Sequence, residues 1–180
     1  MPKLEVPKEA LKVTETLQKA GFQAYIVGGC VRDLLLGIKP KDWDVTTDAT
    51  PQEIEKLFTK TFYENDFGTV TVVDEETEEK TLRNIEITPF RVEGEYSNKR
   101  HPDSVEFSKK LEDDLKRRDF TINAMAYDPA SNKLIDLYKG QEDLKDKVVR
   151  AVGDPSDRFN EDALRIMRAT RIATELNFEI

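Results

Sequence analysis

The sequence predicts an α+β fold, a mixed and largely antiparallel sheet flanked by helices. Short β-rich runs, Val70–Val73 and Leu82–Phe90, face each other across the acidic turn Asp74–Glu79 and predict a hairpin. Short helical stretches stand between the strands without the strict alternation that builds a parallel α/β sheet. A length of 180 residues, 38% apolar and 36% charged, suffices for one sizeable domain with an appended segment.

Residues 8–20 carry Leu11, Val13, Leu17 and Ala20 at helical spacing, with Gly21 as the stop. Ala24–Val27 reads as a strand, and Gly28-Gly29 turns the chain into a short helix, Val31–Leu36, closed by Gly37. Asp44–Thr47 is a further strand, and Thr50-Pro51 with Glu53 supplies the cap and first turn of a helix through Phe58. Val92–Asp103 mixes Gly, Ser, Asn and Pro with charges and predicts a mobile loop. Lys110–Leu115 and Thr121–Ala126 read as helices around the basic turn Lys116–Arg118, and Leu134–Leu137 and Val148–Val152 as short strands. A final helix begins near Ser156 or Asp157 and runs at least to Leu176. Its apolar stripe of Leu164, Met167, Ile172 and Leu176 needs a partner, which predicts a front portion of something longer, or a homodimer through this helix.

Composition narrows the function. No apolar run approaches the roughly eighteen residues of a membrane span, and the start of the chain does not resemble a secretory signal. The one cysteine, Cys30, excludes an internal disulfide and reads as a small buried residue, which fits a reducing cytoplasm. A net charge of −8 argues against a free-standing RNA-gripping module, although four arginines lie between Arg158 and Arg171. The acidic clusters Asp74–Glu79 and Glu112–Asp114 read as solvated surface.

Chemistry concentrates in Tyr25–Pro51. Asp42 and Asp44 flank Trp43, and carboxylates at i and i+2 on a strand point to one face. Such a pair repels itself unless a cation sits between, and hard oxygen ligands that leave room for phosphates suit Mg²⁺. Gly28 and Gly29 open a helix whose backbone N–H groups can cradle a phosphate, with Arg32 one turn further on. A lone Gly-Gly is usually only a turn and a lone Asp-x-Asp usually only a loop; their proximity is what points to nucleotidyl transfer.

Three further stretches bear on that reading. Glu86 alternates with Ile85 and Ile87 on a central strand, either facing solvent or standing beside Asp42 and Asp44 as a third carboxylate. In Lys116–Ala124, Arg118 is placed to meet a triphosphate and Asp119 or Asn123 a ribose hydroxyl; helix-end cations and an N-cap are the plainer alternative. In Asp157–Arg171, Asp162 and Arg165 are i and i+3, neighbours on one helix face. A surface ion pair is the bland account, but an acceptor beside a donor also matches cytosine and adenine while mismatching guanine and uracil. Arg168 and Arg171 continue at the same step toward phosphates.

Taken together, these motifs resemble the head domain of the bacterial class II tRNA nucleotidyltransferases, the CCA-adding enzymes, within the DNA polymerase beta-like superfamily. GGCVRD with DWD is similar to that family's catalytic motif, RRDFTINA to its ribose motif and EDALR to its base-selecting motif. The resemblance implies a head domain at 1–153 and the start of a helical neck at 154–180, with the helices that grip tRNA lying beyond. It implies transfer of CMP and AMP from CTP and ATP to the 3′ end of tRNA, with Mg²⁺ on Asp42 and Asp44 and Glu86 as a candidate third carboxylate. Gly28, Gly29, Arg32, Arg118, Asp119, Asn123, Asp162, Arg165, Arg168 and Arg171 would hold the nucleotide. The bacterial poly(A) polymerase shares the catalytic and ribose motifs; the loop VEGEYSNKRHPDSVEF and the form EDALR are closer to the CCA-adding branch. A nucleotide-binding fragment, inactive without the remaining helices, is the alternative of a different class.

Overall fold

Two helices near the start share one face of the sheet, because each offers a single apolar edge. The computed structural model describes residues 3–63, 67–94, 96–97 and 102–180. Helix α1 (Lys8–Lys19) turns Ala10, Val13 and Leu17 inward, and α3 (Pro51–Leu57) turns Pro51 and Ile54. Burial of each such large side chain stabilises the fold by about 1.5–3 kcal/mol. Thr50 starts α3 with a complete capping box: its Oγ1 accepts from Glu53 N at 3.4 Å, and Glu53 Oε2 accepts from Thr50 N at 2.8 Å.

The strands are β1 (Ala24–Val27), β2 (Trp43–Thr47), β3 (Thr61–Tyr63), β4 (Val70–Val73), β5 (Asn84–Pro89), β8 (Met125–Asp128) and β9 (Lys133–Asp136), in the sheet order β3-β4-β5-β2-β1-β8-β9. Only β2 and β5 run parallel; the other pairs are antiparallel. The hairpin β4–β5 is therefore as expected, with β5 central. Strand β5 starts at Asn84, after a 3₁₀ turn at Lys80–Leu82. A small second sheet pairs β6 (Arg91–Glu93) with β7 (Val105–Phe107), so the segment expected to be a loop is partly strand. The expected mobility at residues 95 and 98–101 concerns positions outside the described residues.

Register decides which side chains share a face. Tyr63, Val70, Ile87, Val45, Ile26, Tyr127 and Leu134 form one cross-strand line on the core side under α1 and α3. Phe62, Thr71, Glu86, Asp44, Val27, Ala126 and Ile135 form the adjacent line on the opposite side. One end of that second face is covered by α4 (Leu111–Lys116), whose Leu111 and Leu115 pack with Val27, Phe90 and Ala126. The other end, from Asp44 outward, is where the polar residues gather.

Several expectations are corrected. Thr121–Ala126 is not a helix: one 3₁₀ turn at Thr121–Asn123 leads directly into β8. Met125, Ala126 and Tyr127 are buried on both faces of the sheet, and such a continuous apolar run does not distinguish strand from helix by period. Val148 and Ala151 make only isolated bridges, to Glu179 and Phe120, instead of a strand. Between β9 and those bridges lies α5 (Gly140–Asp146), which the sequence pattern did not signal. The last helix is two, α6 (Pro155–Glu161) and α7 (Leu164–Leu176), broken where Asp162 takes an extended conformation (φ −134°, ψ 105°). The stripe on α7 is divided as well. Ile172 is buried and Leu176 packs on the core, while Leu164 and Met167 are exposed.

Removal of the cap by Thr50→Ala is expected to cost about 1 kcal/mol. For a chain of this size that lowers the melting temperature by roughly 2–4 °C, measurable by calorimetry.

Candidate active site

Gly28 is the pivot of the site because any side chain there would be strained. Its backbone (φ 83°, ψ −142°) lies in the region open mainly to glycine. A Cβ placed on it would sit 3.2 Å from both Arg118 Nη1 and Asp44 Oδ2. The turn between β1 and α2 (Gly29–Leu35) thus brings backbone, carboxylate and guanidinium to one point. Gly28 N donates to Met125 O at 3.3 Å, so a phosphate cradle would begin at Gly29.

A cavity of about 570 Å³ opens at this point. It is lined by Gly28, Gly29, Arg32, Asp42, Asp44, Arg118, Asp119, Asn123, Arg168 and Arg171, together with Lys39, Lys41 and Glu175. All of these sequence-predicted residues are brought together. A larger groove near Leu4, Leu34 and Trp43 is mainly apolar and shares only Lys39 of the residues just named. Asp42 lies just before β2 and is exposed, whereas Asp44 is the second residue of that strand and partly buried. The expected pair on one strand is therefore one strand residue and one residue at its mouth.

Hydrogen bonds hold the cavity wall in place. Arg32 donates from Nε to Asp33 Oδ1 at 2.8 Å and from Nη1 to Asn123 Oδ1 at 2.9 Å. Asn123 Nδ2 donates to Asp119 Oδ1 at 3.2 Å, and Arg168 Nε donates to Asp119 Oδ2 at 2.8 Å. The expected ribose groups, Asp119 and Asn123, are thus engaged by protein partners in this form. Arg168, reaching over from α7, closes the line.

Arg118 is anchored from behind by Asp114, which sequence reading placed on the surface. Asp114 is fully buried (0% exposed) and accepts Arg118 Nε and Nη2 on Oδ2, at 3.3 and 3.0 Å. Its other oxygen accepts Arg117 Nε at 2.9 Å. Burial pushes the Asp114 carboxyl up, but the charges of Arg117 and Arg118 outweigh it and hold the pKa below the ordinary value of 3.8. Arg117 reaches on to Glu93, which also accepts Arg91 and Tyr96. The signal was present in the chain: Asp114, Arg117 and Arg118 are spaced i, i+3 and i+4.

Asp44 is shifted the other way. Burial raises its pKa, Arg118 lowers it, and the like charge of Asp42 raises it again. The balance leaves it above the ordinary value of 3.8. Cys30 is buried, donates to Val27 O at 3.1 Å, and is pushed up to about 12 by burial and by Asp44. It is structural, not nucleophilic.

The base-selecting pair is not assembled as expected. Asp162 Oδ1 accepts Leu164 N at 2.9 Å and so caps α7 across the helix break. Arg165 is buried and donates to Glu161 Oε2 (2.8 Å), Arg158 O (3.2 Å) and Arg117 O (3.3 Å), with its guanidinium 5.9 Å from the Tyr96 ring centroid. Neither lines the cavity, because the break at Asp162 removes the single helix face that i and i+3 spacing assumed. Glu86 is also outside the cavity lining, though it pairs in register with Asp44 and shares its face. Among the described residues, no group of three or more His, Cys, Asp or Glu side chains is gathered closely enough to hold a metal ion. Asp42 and Asp44 still fit one: they are hard oxygen donors of like charge, and phosphate oxygens would complete the shell.

Comparison with known proteins places the fold. The CCA-adding enzyme of Bacillus stearothermophilus, solved in complex with CTP, superposes with a TM-score of 0.83 and 41% identity, covering 96% of this chain and 40% of that one. A tRNA nucleotidyltransferase solved with a primer tRNA and an incoming ATP analog gives a TM-score of 0.68 and 34% identity, covering 93% of this chain and 46% of its own. The curated CCA-adding enzyme of Ligilactobacillus salivarius (strain UCC118) is 49% identical over 174 residues, which are 96% of this chain and 41% of that protein. The fold is a nucleotidyltransferase head, a mixed sheet with flanking helices. More particularly, the chain belongs to the poly A polymerase head domain family, whose model matches residues 24–150. It spans 41% of the length of this first curated relative. No helix among the described residues is long and apolar enough to cross a membrane.

Asp114→Asn is expected to destabilise the chain by about 3–5 kcal/mol in urea denaturation, because Arg118 loses its buried counter-ion and Arg117 is left with Glu93 alone. The pH profile supplies a second readout. A depressed carboxylate contributes stability above its unfolded pKa, and that contribution is lost as pH falls through its lower folded pKa. The variant is expected to lack that part of the acid limb.

Proposed function

We propose that this chain is the nucleotide-binding and catalytic head of an RNA nucleotidyltransferase that adds CMP and AMP, from CTP and ATP, to the 3′ end of tRNA. One observation carries the reading. Asp44 Oδ2 and Arg118 Nη1 both face Gly28, so a carboxylate and a phosphate-directed cation meet at a glycine turn where a side chain would be strained.

Gly29, Arg32, Arg118, Arg168 and Arg171 would hold the triphosphate, with Asp114 keeping Arg118 aimed. Asp42 and Asp44 would bind Mg²⁺, with Glu86 as the third carboxylate. Bound divalent cations would lower the pKa of the attacking RNA hydroxyl and neutralise the departing charge. The hydroxyl gives up its proton to solvent and its oxygen attacks the α-phosphorus in line; the bond from that phosphorus to the α,β-bridging oxygen breaks, and pyrophosphate departs. Asp119 and Asn123 would take the ribose hydroxyls once Arg168 releases Asp119.

Base choice falls to Asp162 and Arg165. Their donor–acceptor match to cytosine and adenine operates only after Arg165 leaves Glu161, so selectivity belongs to the nucleotide-loaded form. We assign residues 1–153 to the head and 154–180 to the start of the neck, and place the protein in the cytoplasm. Because the chain spans less than half the length of its relatives, a second reading stands beside the first: a nucleotide-binding module that becomes active with the remaining helices or a partner copy.

The test is incorporation of labelled CMP and then AMP into tRNA lacking its 3′ end, with Mg²⁺ present. Incorporation that Asp42→Ala abolishes is the expected result. Binding of CTP and ATP over GTP and UTP without incorporation would favour the module, and long A tracts on arbitrary RNA would favour a poly(A) polymerase. Equal binding of all four nucleotides would overturn the role of Asp162 and Arg165.

A further inference from the structure

A cavity that takes a polyphosphate needs cations whose charge the protein has not already neutralised. Most of the cations lining this one are neutralised from within. Arg32 pairs with Asp33 at 2.7 Å and Arg118 with Asp114 at 3.0 Å, while Arg168 pairs with Asp119 at 2.6 Å and Lys39 with Glu79 at 2.7 Å. Among the described residues, Lys41 and Arg171 are the cavity's cations whose side chains make no ion pair or hydrogen bond. Arg171 already has a place in the phosphate wall. Lys41, one residue before Asp42, has none.

An exposed lysine is ordinarily a solvated surface charge, but the backbone delivers this one to the cavity. Helix α2 closes in a Schellman motif: Ile38 N donates to Asp33 O at 2.8 Å and Gly37 N to Leu34 O at 3.1 Å, with Gly37 left-handed at φ 69°. The chain thereby turns back toward β2. Val27 is the last residue of β1 and pairs with Asp44, so the residues preceding Asp44 run past the end of that strand toward the turn at Gly28 and Gly29. Turn and register together set Lys41 in the cavity wall with Arg32 and Asp42. Arg118 stands beside Asp44, each 3.2 Å from a Cβ placed on Gly28. The α-phosphate reacts at Asp44, where a cation is already in place, so the charge of Lys41 falls to the outer phosphates.

Resting on the nucleotidyl-transfer reading, we propose that Lys41 is a further nucleotide-binding residue, which holds the β- and γ-phosphates that leave as pyrophosphate. Its ammonium is a compact charge on a flexible stem, suited to following phosphate oxygens. It need not be released from a protein carboxylate first, unlike Arg32, Arg118 and Arg168. It meets neither base nor ribose, so it strengthens the binding of CTP and ATP alike and takes no part in choosing between them.

The test uses the 180-residue chain with Mg²⁺ and measures the affinities of CTP, ATP and CMP by calorimetry. Lys41→Gln is expected to weaken CTP and ATP by the same factor, about 10-fold, and to leave CMP unchanged, because CMP lacks the outer phosphates. Lys41→Arg, which keeps the charge, is expected to retain most of the CTP affinity. The melting temperature is expected to stay the same in both variants, since Lys41 makes no ion pair to lose. Unchanged CTP affinity in Lys41→Gln, or an equal loss for CMP and CTP, would overturn the proposal. Weaker binding of a single-stranded RNA ending in CC, with CTP affinity intact, would also overturn it and give the lysine to the RNA. Failure of the unsubstituted chain to bind CTP would strike the nucleotidyl-transfer reading itself and the proposal with it, so the two failures are distinguishable.

Discussion

Asp114 is the interaction on which the site depends. A carboxylate at 0% exposure is tolerated only because two guanidinium groups share it, one on each oxygen. That arrangement fixes both arginines from behind. Arg118 then points toward Gly28 and Asp44, and Arg117 points toward Glu93 at the base of the small sheet. Arg165 in turn donates to the backbone carbonyl of Arg117. Phosphate wall, small sheet and α7 are thus tied to one buried charge, and none of the three can shift far without disturbing the other two.

Much of the site was legible in the chain because its chemistry is local. GGCVRD and DWD state a turn that needs glycine and a carboxylate pair, and the structure brings both to one cavity. The Thr50 cap and the alternation Ile85–Glu86–Ile87 were equally readable, since a capping box and a period of two are short-range patterns. The buried role of Asp114 was not. Glu112, Asp113 and Asp114 have the composition of a solvated face; the spacing of Asp114 to Arg117 and Arg118 signals the ion pairs, but not that this third acid turns inward. At Asp162 the failure has a different cause. A helical stripe across residues 157–176 takes no account of a capping aspartate in its middle, where a side chain–backbone bond competes with the helix.

The cavity in this form is braced against itself. Asp119 and Asn123, which would meet a ribose, satisfy each other and two arginines. Such a wall is rigid, and its bonds must be exchanged rather than simply made when a nucleotide enters. Arg168 is the exposed member of the set, so it is the one free to yield. Entry of a ligand would then alter how α7 is held, because Arg168 belongs to that helix.

The one parallel pairing in the sheet has a consequence for assembly. Asp44 and Glu86 lie side by side as register partners on β2 and β5, and because these strands run in the same direction the chain between them must first complete α3, β3 and β4. No hairpin or single helical unit contains both carboxylates. Contacts of that kind close late, after the entropy of a long loop has been overcome. The juxtaposition of Asp44 and Glu86 therefore comes into existence only together with the finished sheet.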